Sequence, residues 1–269
     1  MRRLRSFPSP LSEAASAPTA LTSEILRRDE TLPAPGCADC ATCAVREMTV
    51  YAPTLAHAPE KLGMLRQRRR QFGPHQIIVR HNDRVDLVYT LQTGWAYRVV
   101  QFPDGRRQIL SFLLPGDTIA TEAISLANYA LPYSVRALTH VTVCGFHPSE
   151  LREVLFSSTR QREHFARYML EQRAFAERRI TDIGRRRAIG SLAHLLVELF
   201  GALSARGLAH GDVVDFPPRQ EDLADALGLT TAHVNRTLLA LRRRGLALVH
   251  AGRLHVHDLA GLRDIAEGN

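Results

Sequence analysis

The sequence predicts an α+β protein made of a cupin-like β-barrel of the jelly-roll type, a long helix and a C-terminal winged helix-turn-helix. Three observations support this fold class. Short runs rich in β-branched and aromatic residues, separated by turn residues, lie between positions 74 and 147. Positions 159–183 then contain neither proline nor glycine. Near the C-terminus, glycines separate two short amphipathic segments and a pair of strand-like runs.

Composition and charge limit the class of protein. The 269 residues are 45% hydrophobic and 23% charged, which is typical of a globular chain, and the formal net charge is +8. No apolar run approaches the length of a membrane span, so we expect no membrane partner. Residues 1–34 lack the apolar core of a signal peptide and are interpreted as a disordered tail, which predicts a cytoplasmic protein. The positive charge permits a polyanionic partner. Whether it indicates one depends on where the charged residues lie.

The chain divides into five segments on this interpretation. The tail (1–34) precedes a cysteine segment (35–50), a barrel domain (51–157), a dimerisation helix (158–186) and a winged helix-turn-helix domain (187–269). The runs QIIVR, LVYTL, WAYRVV, RQILSFL and VTVCGF are predicted as barrel strands, and Asp104-Gly105 predicts a hairpin turn. Ser149–Phe156 predicts a short helix after the barrel, and Ala188–Ala205 an amphipathic helix with a leucine face.

The long helix carries apolar or small residues near heptad spacing, which indicates a dimer seam. The alternative is that this face packs on its own barrel. The predicted seam residues are Phe165, Met169, Gln172, Ala176, Ile180 and Ile183.

The C-terminal segment predicts a helix from Arg219 to Leu227, a turn at Gly228 and a second helix from Thr231 to Arg244. Polar and basic side chains on the second helix suit base edges in a DNA major groove, and the strand-like runs LALVH and RLHVH predict a wing. An ordinary helix pair with a solvated basic face is the alternative. The predicted DNA-binding residues are Thr231, His233, Asn235, Arg236, Arg242, Arg243 and Arg244.

The four cysteines are unevenly placed. Cys37, Cys40 and Cys43 form a C-x2-C-x2-C run, and Cys144 lies far along the chain. In a reducing compartment such a cluster indicates metal or redox ligands, and the same run supplies three ligands to bacterial ferredoxin clusters. Zinc, a thiol–disulfide switch and a plainly buried Cys144 remain alternatives.

The order of barrel, long helix and winged helix-turn-helix resembles the Crp/Fnr superfamily of bacterial transcription regulators. The strings EDLADALGLTTAHVNRTLLALRRRGL, LQTGWAYRV and LLPGDTIA carry the resemblance, which covers about residues 50 to 265. The resemblance implies a homodimer that reads a palindromic operator with Asn235 and Arg236 and contacts RNA polymerase. Ala232 stands where many members have glutamate, so the usual half-site is not implied.

The cysteines resemble those of the FNR branch, whose four thiolates hold a four-iron, four-sulfur cluster that responds to oxygen. On this resemblance Cys37, Cys40, Cys43 and Cys144 are the ligands, and an intact cluster favours the DNA-binding dimer. The third cysteine usually lies several residues further along. A cyclic nucleotide is not expected, because Asp117 replaces the usual glutamate and no arginine stands at the phosphate-gripping position. A cupin-type metalloenzyme is a remote alternative, since His75, His81 and His140 lack the spacing of such a site.

Overall fold

The structure is a computed structural model that describes residues 43–50, 52, 66–127 and 129–268. The predicted tail and Cys37 and Cys40 lie outside the described residues.

Two four-stranded antiparallel sheets form the N-terminal domain within this described part of the chain. In the first sheet the strands, in spatial order, are β1 (Arg66–Phe72), β8 (Val141–Phe146), β3 (Val88–Thr93) and β6 (Thr118–Ile119). In the second they are β2 (Ile77–Val79), β7 (Ser134–Ala137), β4 (Ala96–Gln101) and β5 (Arg107–Leu113). Leu91 and Val143 of one sheet pack with Val135 and Leu113 of the other, so the core lies between the sheets.

The jelly-roll class is therefore confirmed, with three strands, β1, β6 and β7, that are not among the predicted runs. The longest of the three, β1, has the sequence RQRRRQF. It lies at the edge of its sheet, and charged side chains are common on edge strands because they discourage pairing with other chains. Because its residues are mostly basic, it lacks the alternation of apolar residues that predicts a strand.

Helices follow the sheets. A short helix α1 (Glu122–Ser125) interrupts the strands, and α2 (Pro148–Leu155) leads to the long helix α3 (Thr159–Gly184). The Ser158 hydroxyl caps α3 by accepting a hydrogen bond from the Gln161 backbone N–H at 3.3 Å. Helix α4 (Ala188–Ala205) matches its predicted limits. Among the described residues it alone is long and apolar enough to cross a membrane, and its buried leucine face packs in the C-terminal core.

The C-terminal domain contains α5 (Gln220–Leu227), α6 (Thr231–Arg243), α7 (Leu259–Glu267) and a small antiparallel sheet. The order of that sheet is β11 (Ala247–His250), β12 (Arg253–Val256), β10 (Val213–Asp215) and β9 (Ala209–His210). The turn between β11 and β12 has positive φ at Ala251 (49°) and Gly252 (74°), as a type I′ hairpin requires. The predicted wing is thus present as a two-stranded hairpin.

Candidate functional site

A helix-turn-helix forms where the sequence predicted it. Helix α5 ends at Gly228, whose φ of 65° lies in the left-handed region that glycine adopts at low cost. The Thr230 hydroxyl then caps α6 by accepting from the His233 backbone N–H at 3.2 Å. Leu223, Val234 and Leu241 are fully buried and join the two helices. These local signals fix the angle between α5 and α6.

The outer face of α6 is open to solvent. Six of the seven predicted DNA-binding residues are exposed, namely Thr231, Asn235, Arg236, Arg242, Arg243 and Arg244, and His233 is half-buried. The Asn235 amide donates to the Gln220 side-chain oxygen at 3.2 Å. Gln220, the first residue of α5, therefore reaches the same face, and the sequence reasoning missed it. Polar and guanidinium groups at the start of an exposed helix suit the major groove.

A groove beside α6 adds basic character to this face. It is lined by Arg187, Ala188, Ile189, His233, Arg236, Thr237 and Ala240. Arg187 is the N-cap residue of α4, so the positive end of that helix lies near Arg236. Backbone N–H groups at a helix start together with a guanidinium are suited to a phosphate. Arg187 could not be selected from the sequence, because nothing local distinguishes it from its basic neighbours.

Cys144 and Cys43 meet the same sheet. Cys144 is buried on β8, where it pairs in register with Arg69 of β1 on one side and Thr90 of β3 on the other. Cys43 is half-buried, and its sulfur lies 3.9 Å from the Gln92 amide nitrogen. The Gln92 amide oxygen in turn accepts a hydrogen bond from Arg69 Nε at 3.1 Å. Arg69 thus neighbours Cys144 by register and Cys43 through Gln92.

The segment after Cys43 shares an apolar cluster with Cys144 through Val50. Val50 is buried in the same apolar cluster as Cys144, Phe146 and Phe165. The backbone oxygen of Val50 also lies 2.9 Å from His164 Nε2 on α3. The cysteine segment therefore contacts both the first sheet and the first turns of α3. Cys37 and Cys40 fall outside the described residues.

The histidines considered for the metalloenzyme alternative do not come together. His75, His81 and His140 are exposed on turns outside the sheets and do not converge inside the domain. Within residues 43–50, 52, 66–127 and 129–268, no three His, Cys, Asp or Glu side chains are arranged to hold a metal. A thiolate site therefore depends on the cysteines that precede the described region.

The predicted seam divides into two parts. Phe165 is 4% exposed and Met169 packs beside it, both in the cluster with Cys144. The assignment of Phe165 to a dimer seam is therefore corrected, because this side chain is buried in its own N-terminal domain, whereas Met169 is half-buried and its assignment stays a prediction. Gln172 lines a cavity between α3, α4 and the sheets. Ala176, Ile180 and Ile183 remain exposed, Ile180 at 70% and Ile183 at 46%.

The paired sheets, long helix and exposed helix-turn-helix together define a DNA-binding transcription regulator with a separate sensor domain. The Crp-like helix-turn-helix domain matches residues 190–265, and the cyclic nucleotide-binding domain matches residues 69–158. The nitrogen fixation regulation protein FixK of Rhizobium meliloti is 32% identical over 183 residues, 68% of this chain and 79% of that protein. The chain belongs to the Crp/Fnr family.

Further similarities agree with this assignment. The transcriptional activator protein FnrL of Cereibacter sphaeroides is 28% identical over 222 residues, 81% of this chain and 86% of that protein. The structure of FixK2 from Bradyrhizobium japonicum superposes with a TM-score of 0.62 at 22% identity, covering 74% of this chain and 96% of FixK2. The likeness to FixK2 supports the fold. The relatives are regulators, so the metalloenzyme interpretation is set aside.

Proposed function

We propose that this regulator binds a palindromic operator as a homodimer and responds to oxygen or redox state through a metal centre held by Cys37, Cys40, Cys43 and Cys144. The observation that carries the proposal is that Cys43 and Cys144, far apart in sequence, both lie against the first sheet beside the Arg69–Gln92 pair. Two thiols from separate segments that approach one sheet face are consistent with ligands of a shared centre.

The chemistry of the surroundings fits an anionic sulfur centre. The Gln92 amide is a hydrogen-bond donor toward the Cys43 sulfur, and Arg69 supplies a positive charge next to it. Donors and charges around the ligands stabilise thiolates and tune a bound metal. A four-iron, four-sulfur cluster, when bound, supplies a redox centre that oxygen can degrade. Zinc would use the same four thiolates without redox chemistry.

The contacts of Val50 provide a route from this site to the long helix. Val50 lies in the same apolar cluster as Cys144, and its backbone oxygen is hydrogen-bonded to His164 on α3. We infer that loss of the thiolate centre releases this segment and so changes the packing of Phe165, which shares the cluster. The first turns of α3 then lose part of their support.

A second copy of the chain is the proposed occupant of the exposed face of α3. Ala176, Ile180 and Ile183 follow helical spacing on one side of the helix. Members of the Crp/Fnr family act as dimers, and pairing two half-site contacts multiplies their affinities. The dimer would present two α6 helices to a palindrome, and promoter-bound protein would contact RNA polymerase.

The cavity next to α3 supports a regulator without a cyclic nucleotide. Its volume is about 200 Å³, which is below the range of about 300–1,000 Å³ that is usual for ligand pockets. Asp117, at the position of the family's glutamate, is already engaged: its carboxylate accepts from Arg206 at 2.6 Å and from the Leu114 backbone N–H at 2.7 Å.

The deciding experiment is anaerobic purification with counts of iron, acid-labile sulfide and zinc per chain. We expect a brown protein with iron and sulfide in equal amounts, and DNA binding that weakens on exposure to air. Cys43→Ser and Cys144→Ser should lose the metal, whereas the matched control Thr90→Ser, next to Cys144 in register, should keep it. Stoichiometric zinc in a colourless protein, or metal-free protein that binds DNA equally well with and without air, would contradict the oxygen-sensing proposal.

A further inference from the structure

Strand β5 of the sensor domain lies against α5, the first helix of the DNA-binding motif. Arg107 on β5 pairs with Asp222 of α5 at 2.9 Å and with Asp225 at 2.5 Å. The Gln108 amide donates to the Ala226 backbone oxygen at 3.3 Å. The two residues at the start of β5 thus bind one side of α5, at positions spaced i, i+3 and i+4.

Arg107 is held in place from its own side. Its Nη1 donates to the Tyr97 hydroxyl at 3.2 Å, and its guanidinium lies 5.7 Å from the centre of the Tyr97 ring. The guanidinium is therefore fixed between an aromatic ring of the sensor domain and two carboxylates of the DNA-binding domain. A planar fork that pairs with two carboxylates also fixes orientation, which a single lysine charge does not.

Asp222 gives this contact a direct connection to the helix-turn-helix. Its second carboxylate oxygen accepts from the Arg219 backbone N–H at 2.9 Å and so caps the start of α5. Asp222 is 5% exposed, so its pairing takes place away from solvent. The same carboxylate starts α5 and receives Arg107.

An aromatic contact accompanies the ion pairs. Trp95, in the turn that precedes β4, is 6% exposed. Its ring centre lies 6.0 Å from the ring centre of Phe216 in the DNA-binding domain. Phe112 of β5 lies 6.2 Å away on the sensor side. Trp95 is the only tryptophan in the 269-residue chain, so its fluorescence reports on this contact.

We propose that Arg107 is a positioning residue for DNA binding: by clamping α5 to β5, it sets the orientation of α6 relative to the dimer. The direction of the effect follows from exposure. With α5 docked on β5, Asn235 and Arg236 remain exposed on α6, so the docked arrangement leaves the DNA-binding face open. Arg107 itself points to α5 and does not lie on that face. This inference rests on the proposed binding of a two-half-site operator.

The test compares Arg107→Ala with Arg106→Ala. Both variants remove one positive charge from the same hairpin, so long-range attraction to DNA changes equally. Arg106 pairs only locally, with Asp104 of its own turn at 2.7 Å, and its side chain is 81% exposed. The probes are a palindromic duplex that the unaltered protein selects from a random-sequence pool, the same duplex with one base pair added to the spacer, and a single half-site.

We expect Arg107→Ala to bind the selected palindrome about tenfold more weakly, because the binding-competent orientation is less populated. Adding one base pair to the spacer should weaken binding by Arg107→Ala less than it weakens binding by the unaltered protein. The affinity of Arg107→Ala for the single half-site should be unchanged. Arg106→Ala should match the unaltered protein on all three duplexes. Asp225→Ala should reproduce the effect of Arg107→Ala, and the double variant should add no further loss. Acrylamide quenching of Trp95 should increase in Arg107→Ala and stay the same in Arg106→Ala.

Tighter binding of the palindrome by Arg107→Ala would overturn the proposal and make the contact inhibitory. Equal losses on the palindrome and the half-site would also overturn it, since a positioning residue acts only where two readers must be spaced. Failure of the unaltered protein to select any duplex would contradict the proposed function instead. In that case unchanged Trp95 quenching in Arg107→Ala would still reject the clamp, and increased quenching would retain it.

Discussion

The two ends of α3 are held by opposite kinds of interaction. At its N-terminal end Phe165 makes an edge-to-face contact with Phe156 and stacks on Tyr168, whose ring centres lie 5.5 and 6.5 Å away respectively. At its C-terminal end Asp182, 2% exposed, is surrounded by Arg186 and His194, both at 2.8 Å, and by Arg179 at 3.7 Å. Apolar packing is non-directional and adjusts to small shifts, whereas buried ion pairs require a fixed geometry.

This difference indicates which end can respond to a signal. The adjustable end lies beside the cysteine segment, through His164 and the Cys144 cluster. The fixed end joins α3 to the DNA-binding domain, because the Ser191 hydroxyl of α4 donates to the Asp182 backbone oxygen and Arg179 donates to the Ala226 backbone oxygen of α5. A shift that begins at the adjustable end would therefore move the DNA-binding domain, because the fixed end does not change its own geometry.

The largest expected effect is at the fixed end. Asp182→Ala removes the carboxylate that compensates Arg179, which stays buried, and should lower the free energy of unfolding by about 3–4 kcal/mol. Chemical denaturation measures it. Glu177→Ala is the control, because Glu177 is 60% exposed and pairs with exposed Arg173, so its loss should be under about 0.5 kcal/mol. Similar losses for the two variants would mean that the Asp182 cluster does not fix this end.

Phe165→Ala at the adjustable end should cost about 3 kcal/mol, because it leaves a cavity in the cluster that contains Cys144. The change should be independent of protein concentration, since Phe165 packs within its own chain. Phe165→Leu should lose less than about 1.5 kcal/mol, as adaptable apolar packing predicts. A loss that grows as the protein is diluted would return Phe165 to the dimer seam.

These two ends also show what the sequence could and could not provide. The limits of α5 and α6 were predicted within one residue, because Gly228, the capping Thr230 and the leucine spacing are local signals. Helical periodicity placed Phe165 on the same side of α3 as Ile180 and Ile183, but it cannot say what each residue contacts, and Phe165 was assigned to the wrong partner. Arg179 and Asp182 were not predicted as buried, because charged residues are seldom buried unless paired.

The sequence predicted some residues of the candidate site and missed others. The cysteines were selected by residue type and spacing, and the structure adds that Cys43 approaches the sheet of Cys144. Gln92 and Arg69, which connect them, could not be predicted, since their pairing depends on strand register across distant segments. Arg107 was missed for the same reason: its partners lie more than a hundred residues away, as the separation of 115 positions to Asp222 shows.

The exposed face proposed for the dimer lies in the C-terminal half of α3. Ile180→Glu should weaken the dimer at least tenfold, since the substitution places two carboxylates at one apolar seam. Analytical ultracentrifugation measures the dissociation constant. Leu170→Glu is the control, because Leu170 is 64% exposed but lies about 80° away from Ile180 around the helix axis. A greater effect for Leu170→Glu would move the seam to that side.

The smallest expected effect concerns Glu198 of α4, near the fixed end. Burial raises the pKa of Glu198 against the opposing influence of Arg179 and His194, and one of its carboxylate oxygens has no hydrogen-bond partner. A raised pKa in the folded state means that stability is full below the unfolded pKa and is lost as the pH rises through the folded pKa. Glu198→Gln should therefore be stabilising by about 1 kcal/mol near pH 8 and neutral near pH 4.

Denaturation of both proteins at the two pH values measures this difference, and Glu177→Gln provides an exposed control on α3 that should show no such dependence. If Glu198→Gln were instead destabilising near pH 8, the ionised carboxylate would be a favourable member of the charged cluster around Asp182. The fixed end would then extend along α4 as far as the cavity that Glu198 lines. The sign of the stability change that Glu198→Gln causes near pH 8 therefore determines how far the fixed end reaches into the DNA-binding domain.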